Sequence, residues 1–206
     1  PKVAICIPAL TLGLPPLTAA TGWIHRTLHE TFLSPAFKAA RDGIALDGLR
    51  RAWRHIERAT RQPGNRDARL NMMSASMQGA LAFQKGLGCV RNLSQSLGGI
   101  DPRLYHGTLN AIFLPAVIAN EAAASVREED KLDRMARRWT WPAGAQVGPS
   151  ARAMLNGLGL PTGLAQLGVT RAMFPGIVRG ALKDHSHRIN PRLLDTDYEA
   201  MLEASL

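Results

Sequence analysis

Two histidines four residues apart, His25 and His29, are the side chains best suited to hold a metal ion in this chain of 206 residues. On a helix, residues i and i+4 share one face, and neutral imidazole nitrogens bind zinc and similar divalent ions. Glu30 follows directly and is a candidate further ligand or catalytic base, although it points about 100° around the helix. The order differs from His-Glu-x-x-His, where the glutamate lies between the histidines. A metal site is one interpretation, and an exposed pair is the other.

A second polar cluster contains Asp184, His185 and His187. A carboxylate beside imidazoles can carry acid–base chemistry near neutral pH. The same residues can equally form a capped loop with exposed histidines. We treat Asp184 as a candidate catalytic residue, and His185 and His187 as candidates for lining a pocket.

Glycine and proline divide the chain into segments with helical periodicity, and no parallel-strand pattern is found. The predicted fold is all-α, a single helical domain over residues 1–206 with an irregular lead-in over 1–20. The segment 69–85 is predicted to be fully buried, with its methionines as core residues. A loop is predicted at 98–102. The predicted helical segments are 21–32, 39–60, 69–85, 89–97, 107–120, 128–138, 149–156, 163–167, 170–182 and 197–206.

The central part of the chain resembles a known motif. Residues 86–99 read Gly-Leu-Gly-Cys-Val-Arg-Asn-Leu-Ser-Gln-Ser-Leu-Gly-Gly, and His106 follows after a short loop. This is similar to the metal-domain signature of the iron-containing alcohol dehydrogenases, G-L-G-x-V-H-x-x-x-H-x-L-G. Residues 12–22 and 184–192 resemble the two ends of that family's helical half. The resemblance implies the second, helical half of a two-domain dehydrogenase.

Most of the family's metal-binding side chains are absent from this sequence. Arg91 and Gln95 stand where the two histidines of the signature belong, and an arginine has no lone pair to offer a metal. Only His106 is retained. Arg91 and Gln95 lie one turn apart and would point into the vacated site, where they could bind an anion such as phosphate or carboxylate.

The first helix departs from the family pattern as well. The family has an aspartate and a histidine four residues apart, where this chain has Ile24 and Leu28, or Trp23 and Thr27 in a shifted alignment. Three of the four ligands are therefore missing in either alignment. No glycine-rich phosphate loop opens a βα unit in this sequence, so no NAD binding and no hydride transfer are expected from the chain alone.

If the family's fold is kept, His106 would face the same cavity as the first helix. His25, His29 and His106, here called the three-histidine site, would supply three nitrogen ligands and leave a fourth position open. That arrangement lowers the pKa of bound water to ~7 and produces a hydrolytic nucleophile. A register shift of the first helix could equally rotate the pair away from His106. Zinc, manganese and iron are the candidate metals.

Three functions remain open at this point. Metal-assisted hydrolysis of a small-molecule ester or phosphoester is the leading hypothesis for an activity, because it needs no dinucleotide domain. The alternatives are an inactive remnant or fragment of an NAD-dependent alcohol dehydrogenase, and an oligomeric binding module. Exposed apolar surface favours self-association, so a homodimer is expected.

Composition limits the remaining classes of protein. Hydrophobic residues make up 46% and charged residues 20%, which is typical of a globular domain and not of a disordered one. The net charge of +9 comes from arginines on predicted helix faces without interleaved aromatics, so no specific nucleic-acid binding is expected. No apolar run approaches the ~20 residues of a membrane span. With no signal-peptide pattern, the expected location is cytoplasmic. Cys6 and Cys89 are predicted core residues without a disulfide.

Overall fold

The computed structural model of the protein describes residues 3, 5–14, 39–82, 88–122, 133, 136, 147–190 and 195–206. In these ranges the chain forms α-helices and short 3-10 turns and contains no strand, which confirms the all-α prediction. The predicted helix 21–32, and most of 128–138, lie outside the described residues. The described helices are α1 (Ala39–Arg61), α2 (Arg66–Ala82), α3 (Cys89–Ile100), α4 (His106–Ala122), α5 (Val147–Gly157), α6 (Phe174–Lys183) and α7 (Asp195–Ser205).

Helices α1 and α2 form an antiparallel hairpin. The buried side of α1 repeats at helical spacing, through Ala45, Leu49, Ala52, Ile56 and Ala59. Small residues on the facing side of α2 allow the two helices to approach closely. The turn between them ends at a helix cap: the side-chain oxygen of Asn65 accepts the Ala68 N–H at 3.0 Å. The predicted helix 39–60 is confirmed.

Helix α4 is the centre of the fold and packs on α3, α5 and α7. Residues 109–118 are buried on every side of the helix, as an interior helix requires. Pro115 lies inside α4, and the helix continues beyond it. Helix α5 approaches at this point through Gly148, where a Cβ would come within 3.2 Å of the Pro115 carbonyl oxygen.

Two predictions about individual helices were wrong. Helix α2 is not fully buried, because only one of its sides meets α1; Leu70, Met77 and Leu81 remain 40–48% exposed. Met72 is the methionine of this helix that enters the core. Helix α3 continues through the predicted loop at 98–99 as far as Ile100. It ends where Pro102 disfavours helical backbone at the residue before it, with the Asp101 N–H bonded to the Leu97 carbonyl at 2.9 Å.

The C-terminal part of the chain packs back onto α3 and α4. Helix α6 lies on α3, and α7 lies on both α4 and α6. The α3–α6 contact is close because Gly180 has no side chain; a Cβ there would overlap the Ser96 hydroxyl. The Ser96 hydroxyl itself donates to the Ile177 carbonyl at 2.7 Å. Of the helices described, none is both long enough and apolar enough to cross a membrane.

Candidate site around Arg91 and Asp184

Arg91 and Asp184 meet where the start of α3 lies against the end of α6. Arg91 is the third residue of α3, and Asp184 is the residue that ends α6. A guanidinium nitrogen, Nη1, lies 3.4 Å from the Asp184 Oδ2 atom. The Arg91 side chain is 25% exposed and that of Asp184 is 11% exposed, so the pair is only partly screened by water. The contact links two helices that are 93 residues apart in sequence.

The carboxylate of Asp184 is held mainly by its own loop. The Ser186 N–H donates to Oδ1 at 2.8 Å, and the Ser186 hydroxyl donates to the same oxygen at 2.5 Å. Burial alone would raise the pKa of Asp184, but the Ser186 hydrogen bonds and the charge of Arg91 outweigh it and lower this pKa below its usual range. A general base at neutral pH needs a raised pKa instead. The carboxylate is therefore better suited to hold the loop than to take a proton.

A buried network of neutral polar groups adjoins this ion pair. Asn92, which follows Arg91, donates from Nδ2 to the Ser186 hydroxyl oxygen at 2.8 Å. Its Oδ1 atom accepts from Asn190 Nδ2 and from the Tyr198 hydroxyl, each at 3.1 Å. His187 Nδ1 lies 3.0 Å from the Tyr198 oxygen. We call these five residues the Asn92 network.

The Asn92 network also positions one histidine. With the Tyr198 hydroxyl donating to Asn92, the Tyr198 oxygen is left to accept from His187 Nδ1, which lies 3.0 Å away. His187 is half-buried in this arrangement. It therefore acts as part of the link between α3 and α7, where the sequence predicted a pocket residue.

The other predicted site residues lie on the surface or outside the described part of the chain. His185 is 79% exposed beside Asp184, with its Nδ1 atom 3.4 Å from Oδ1. Gln95 is exposed one turn after Arg91 on α3, and His106 is exposed at the first residue of α4. His25, His29 and Glu30 lie outside the described residues, so the three-histidine site stays a prediction.

Sequence reasoning missed three residues of the Asn92 network. These three residues are Asn92, Ser186 and Tyr198. They are at most 2% exposed, and no sequence motif predicted their contacts. One signal was available: Asn92 lies three residues after Cys89, on the side of α3 that is otherwise apolar. A polar side chain on a buried face needs a partner, and that need predicts a hydrogen-bonded contact.

A separate cavity lies between α1 and α5, and no pattern in the sequence predicted it. Its volume is about 390 Å³, and none of the predicted site residues that the structure describes lines it. One carboxylate, that of Glu57, reaches the cavity, and this group pairs with Arg61 at 3.0 Å. The lining residues are Trp53, Ile56, Glu57, Ser150, Ala153, Met154, Gly157 and Leu158.

The family model for the C-terminal part of the Fe-containing alcohol dehydrogenase family matches residues 22–206. The chain belongs to this family. It is 56% identical over 215 aligned residues to 4-hydroxybutyrate dehydrogenase of Cupriavidus necator, covering 100% of the chain and 56% of that protein. It is 36% identical to 1,3-propanediol dehydrogenase of Citrobacter freundii, covering 93% of the chain and 51% of that protein.

Solved structures share the fold of this chain. The iron-containing alcohol dehydrogenase of Thermococcus thioreducens superposes with a TM-score of 0.87 at 22% identity, over 100% of this chain and 55% of that one. A 1,3-propanediol oxidoreductase superposes equally well at 27% identity, over 97% of this chain and 54% of that one. The chain thus spans about half the length of the relatives it matches.

The family name implies an iron ion, and the donor set of this chain can be compared with that requirement. The guanidinium of Arg91 has no lone pair to offer and cannot ligate a metal. The nearest carboxylate, that of Asp184, already accepts two hydrogen bonds from Ser186 and faces the guanidinium. Within the described ranges, no three His, Cys, Asp or Glu side chains come together to hold a metal ion. The residues around Arg91 therefore do not fit the iron ion of the family.

Proposed function

We propose that the chain forms the helical half of a protein related to 4-hydroxybutyrate dehydrogenase, with an arginine–aspartate ion pair at the position of the family's metal ligand. Such a half would supply one wall of a dehydrogenase-like cleft without supporting metal-dependent hydride transfer. The observation that carries this proposal is the contact between Arg91 and Asp184 at the start of α3. The match to the Cupriavidus necator dehydrogenase, which extends over the whole of this chain and 56% of that protein, supports the class of protein.

The dehydrogenase-fragment alternative is favoured over hydrolysis. The relatives in the comparison are dehydrogenases, and none of them supports hydrolytic chemistry. At the site itself, Asp184 has a lowered pKa and engaged oxygens, so it offers no free base to activate water. Hydrolysis then depends wholly on the three-histidine site, which remains a separate prediction with its own test.

The test is a hybrid protein in which the part of the Cupriavidus necator enzyme that precedes the matched region is followed by this whole chain. We expect the hybrid to bind NAD and to oxidise 4-hydroxybutyrate at least about 10³-fold more slowly than the natural relative, with or without added Fe²⁺. Loss of a Lewis-acid metal removes several kcal/mol of transition-state stabilisation, and each 1.36 kcal/mol is tenfold in rate. NADH formation is followed by absorbance.

The matched control is the natural relative carrying arginine and glutamine at the positions aligned with Arg91 and Gln95. That variant should fall to the rate of the hybrid. Metal-stimulated turnover of the hybrid within about tenfold of the natural relative would show that the proposal is wrong.

A further inference from the structure

The guanidinium of Arg91 is incompletely paired. An arginine offers five N–H donors in a planar fork. Arg91 makes one contact with Asp184, through Nη1 at 3.4 Å, whereas a charge-assisted hydrogen bond is normally about 2.7–2.9 Å long. Among the residues that the structure describes, no other acceptor bonds this guanidinium. Most of the fork is therefore available to a ligand.

A second arginine–carboxylate pair in this chain has a filled fork and serves as a comparison. Arg171 donates from Nε and Nη2 to both oxygens of Glu203, at 2.8–3.0 Å. Arg171 is 68% exposed, whereas Arg91 is more buried and yet makes the weaker contact. A partly buried cation gains more from an added anion, because water screens the attraction less. Of these two arginines, Arg91 is the one with unused binding capacity.

Asp184 does not fill the fork of Arg91, because the loop after α6 holds its carboxylate. The Oδ1 atom accepts both the backbone N–H and the hydroxyl of Ser186. The Ser186 hydroxyl oxygen is in turn bonded by Asn92. Only Oδ2 faces the guanidinium. Asp184 therefore positions Arg91 and leaves several of its N–H donors for a second oxyanion.

Two further polar side chains lie near this fork. Gln95 is exposed one turn after Arg91 on the same face of α3, and its amide can donate to an anion. His185 is 79% exposed, and its Nδ1 atom lies 3.4 Å from Oδ1 of Asp184. Arg91 and His185 thus lie beside the two oxygens of one carboxylate. Three side chains with N–H donors are brought together where α3 begins and α6 ends.

We propose that Arg91, Gln95 and His185 bind a small molecule through a single carboxylate group. This deepens the proposed function and rests on it, because the ligand would lie against the cleft wall at the position of the family's metal ligand. A carboxylate is planar and has two oxygens, which matches the guanidinium fork in a bidentate pair. Charge favours a monoanion over a phosphate dianion, since Asp184, 3.4 Å from the guanidinium, repels each added negative charge.

The test is an NMR titration of the whole chain with butyrate at constant ionic strength, followed through the backbone amide signals of residues 91–95 and 184–187. We expect saturable shifts at these residues, with a dissociation constant in the millimolar range, and weaker binding of inorganic phosphate. Arg91→Lys keeps the charge and loses the fork, so it should weaken butyrate binding about tenfold. Gln95→Glu places a negative charge one turn from the fork and should weaken binding to a similar extent. Its melting temperature should be unchanged, because position 95 is exposed.

The matched control compares Arg91→Gln with Arg171→Gln, which removes the same charge from an arginine whose fork is already filled by Glu203. Arg91→Gln should abolish butyrate binding, and Arg171→Gln should leave it unchanged. The proposal is overturned by the absence of saturable shifts, by tighter binding of phosphate than of butyrate, by equal effects of the two substitutions, or by unchanged affinity in Gln95→Glu. The titration uses the chain alone, so its failure leaves the hybrid assay intact. Metal-stimulated turnover of the hybrid would refute the proposed function even if butyrate binds at Arg91.

Discussion

Replacing Asn92 with aspartate is the sharpest test of the link between α3 and the C-terminal part of the chain. The change keeps the shape of the side chain and turns one buried donor into an acceptor. Asn92 Nδ2 donates to the Ser186 oxygen at 2.8 Å, while the Ser186 proton is already used on Asp184. Asn92→Asp therefore places a carboxylate oxygen against a hydroxyl oxygen with no proton between them.

The expected loss of stability follows from these contacts. An unsatisfied buried hydrogen-bonding group costs about 1–3 kcal/mol. The new charge adds to this, because position 92 is fully buried and the Asp184 carboxylate shares the same serine. The bonds from Asn190 and Tyr198 to the other oxygen are retained. We expect a total loss of about 3–5 kcal/mol at neutral pH, a large part of the ~5–15 kcal/mol available to a domain.

The assay is urea unfolding of the variant and of the wild-type chain as a function of pH. Burial and Asp184 should raise the pKa of the new carboxyl in the folded state above its unfolded value. The proton it then holds can donate to Ser186, so the deficit should be small below about pH 4 and grow as pH rises through the raised pKa. Asn92→Ala is the control, with a deficit that does not vary with pH. A deficit of the aspartate variant that is independent of pH, or below about 1 kcal/mol, would refute this reasoning.

Three further predictions follow from separate features. Gly180→Ala should cost about 1–3 kcal/mol by overlap with Ser96 and little in a Ser96→Gly background, and additive unfolding free energies would contradict this. The pKa of Asp184 is lowered, so its carboxylate stabilises the fold above about pH 4, and this stabilisation is lost as pH falls through the folded pKa. Asp184→Asn should lower the free energy of unfolding by about 1–2 kcal/mol at neutral pH and weaken its dependence on pH in the acid range. Parallel curves of unfolding free energy against pH for the variant and the wild type would contradict this. The three-histidine site predicts stoichiometric zinc, manganese or iron in elemental analysis, reduced by a chelator and by His106→Ala, and a metal-free protein would eliminate it.

The all-α class and most helix positions follow from sequence periodicity alone. Helix α1 has a regular apolar stripe between Ala45 and Ala59, so its length could be predicted to within one residue. The burial of α2 could not be predicted in the same way. Its small residues and methionines lie on more than one side of the helix, and only the contact with α1 determines which side is buried. Helix α3 continues through two glycines and packs against α6. Local helix propensity does not include such tertiary packing, so it predicted a loop at these glycines.

Less of the candidate site than of the fold could be predicted from the sequence. The motif around Arg91 correctly identified the first turns of α3 as the candidate site, because the spacing of its residue types can be recognised in the sequence. The partner of Arg91 was not marked, since Asp184 lies 93 residues away and only the folded chain brings the two together. The contact between His187 and Tyr198 was not predicted for the same reason, because Tyr198 belongs to a helix whose packing cannot be read from the sequence. The place of His187 in a pocket stays a prediction.

The position of Asn92 beside Arg91 has a consequence for how such a chain can change over time. The hydrogen bonds that fasten α3 to Ser186, Asn190 and Tyr198 belong to a neutral side chain and need no metal ion. A replacement at residue 91 therefore alters chemistry at one point while its neighbour keeps the helices in register. The residue whose replacement changes the chemistry and the residue whose hydrogen bonds hold the helices together are neighbours in α3. A protein with this arrangement can lose a metal ligand at position 91 and keep its fold, so the helical half can take on new functions.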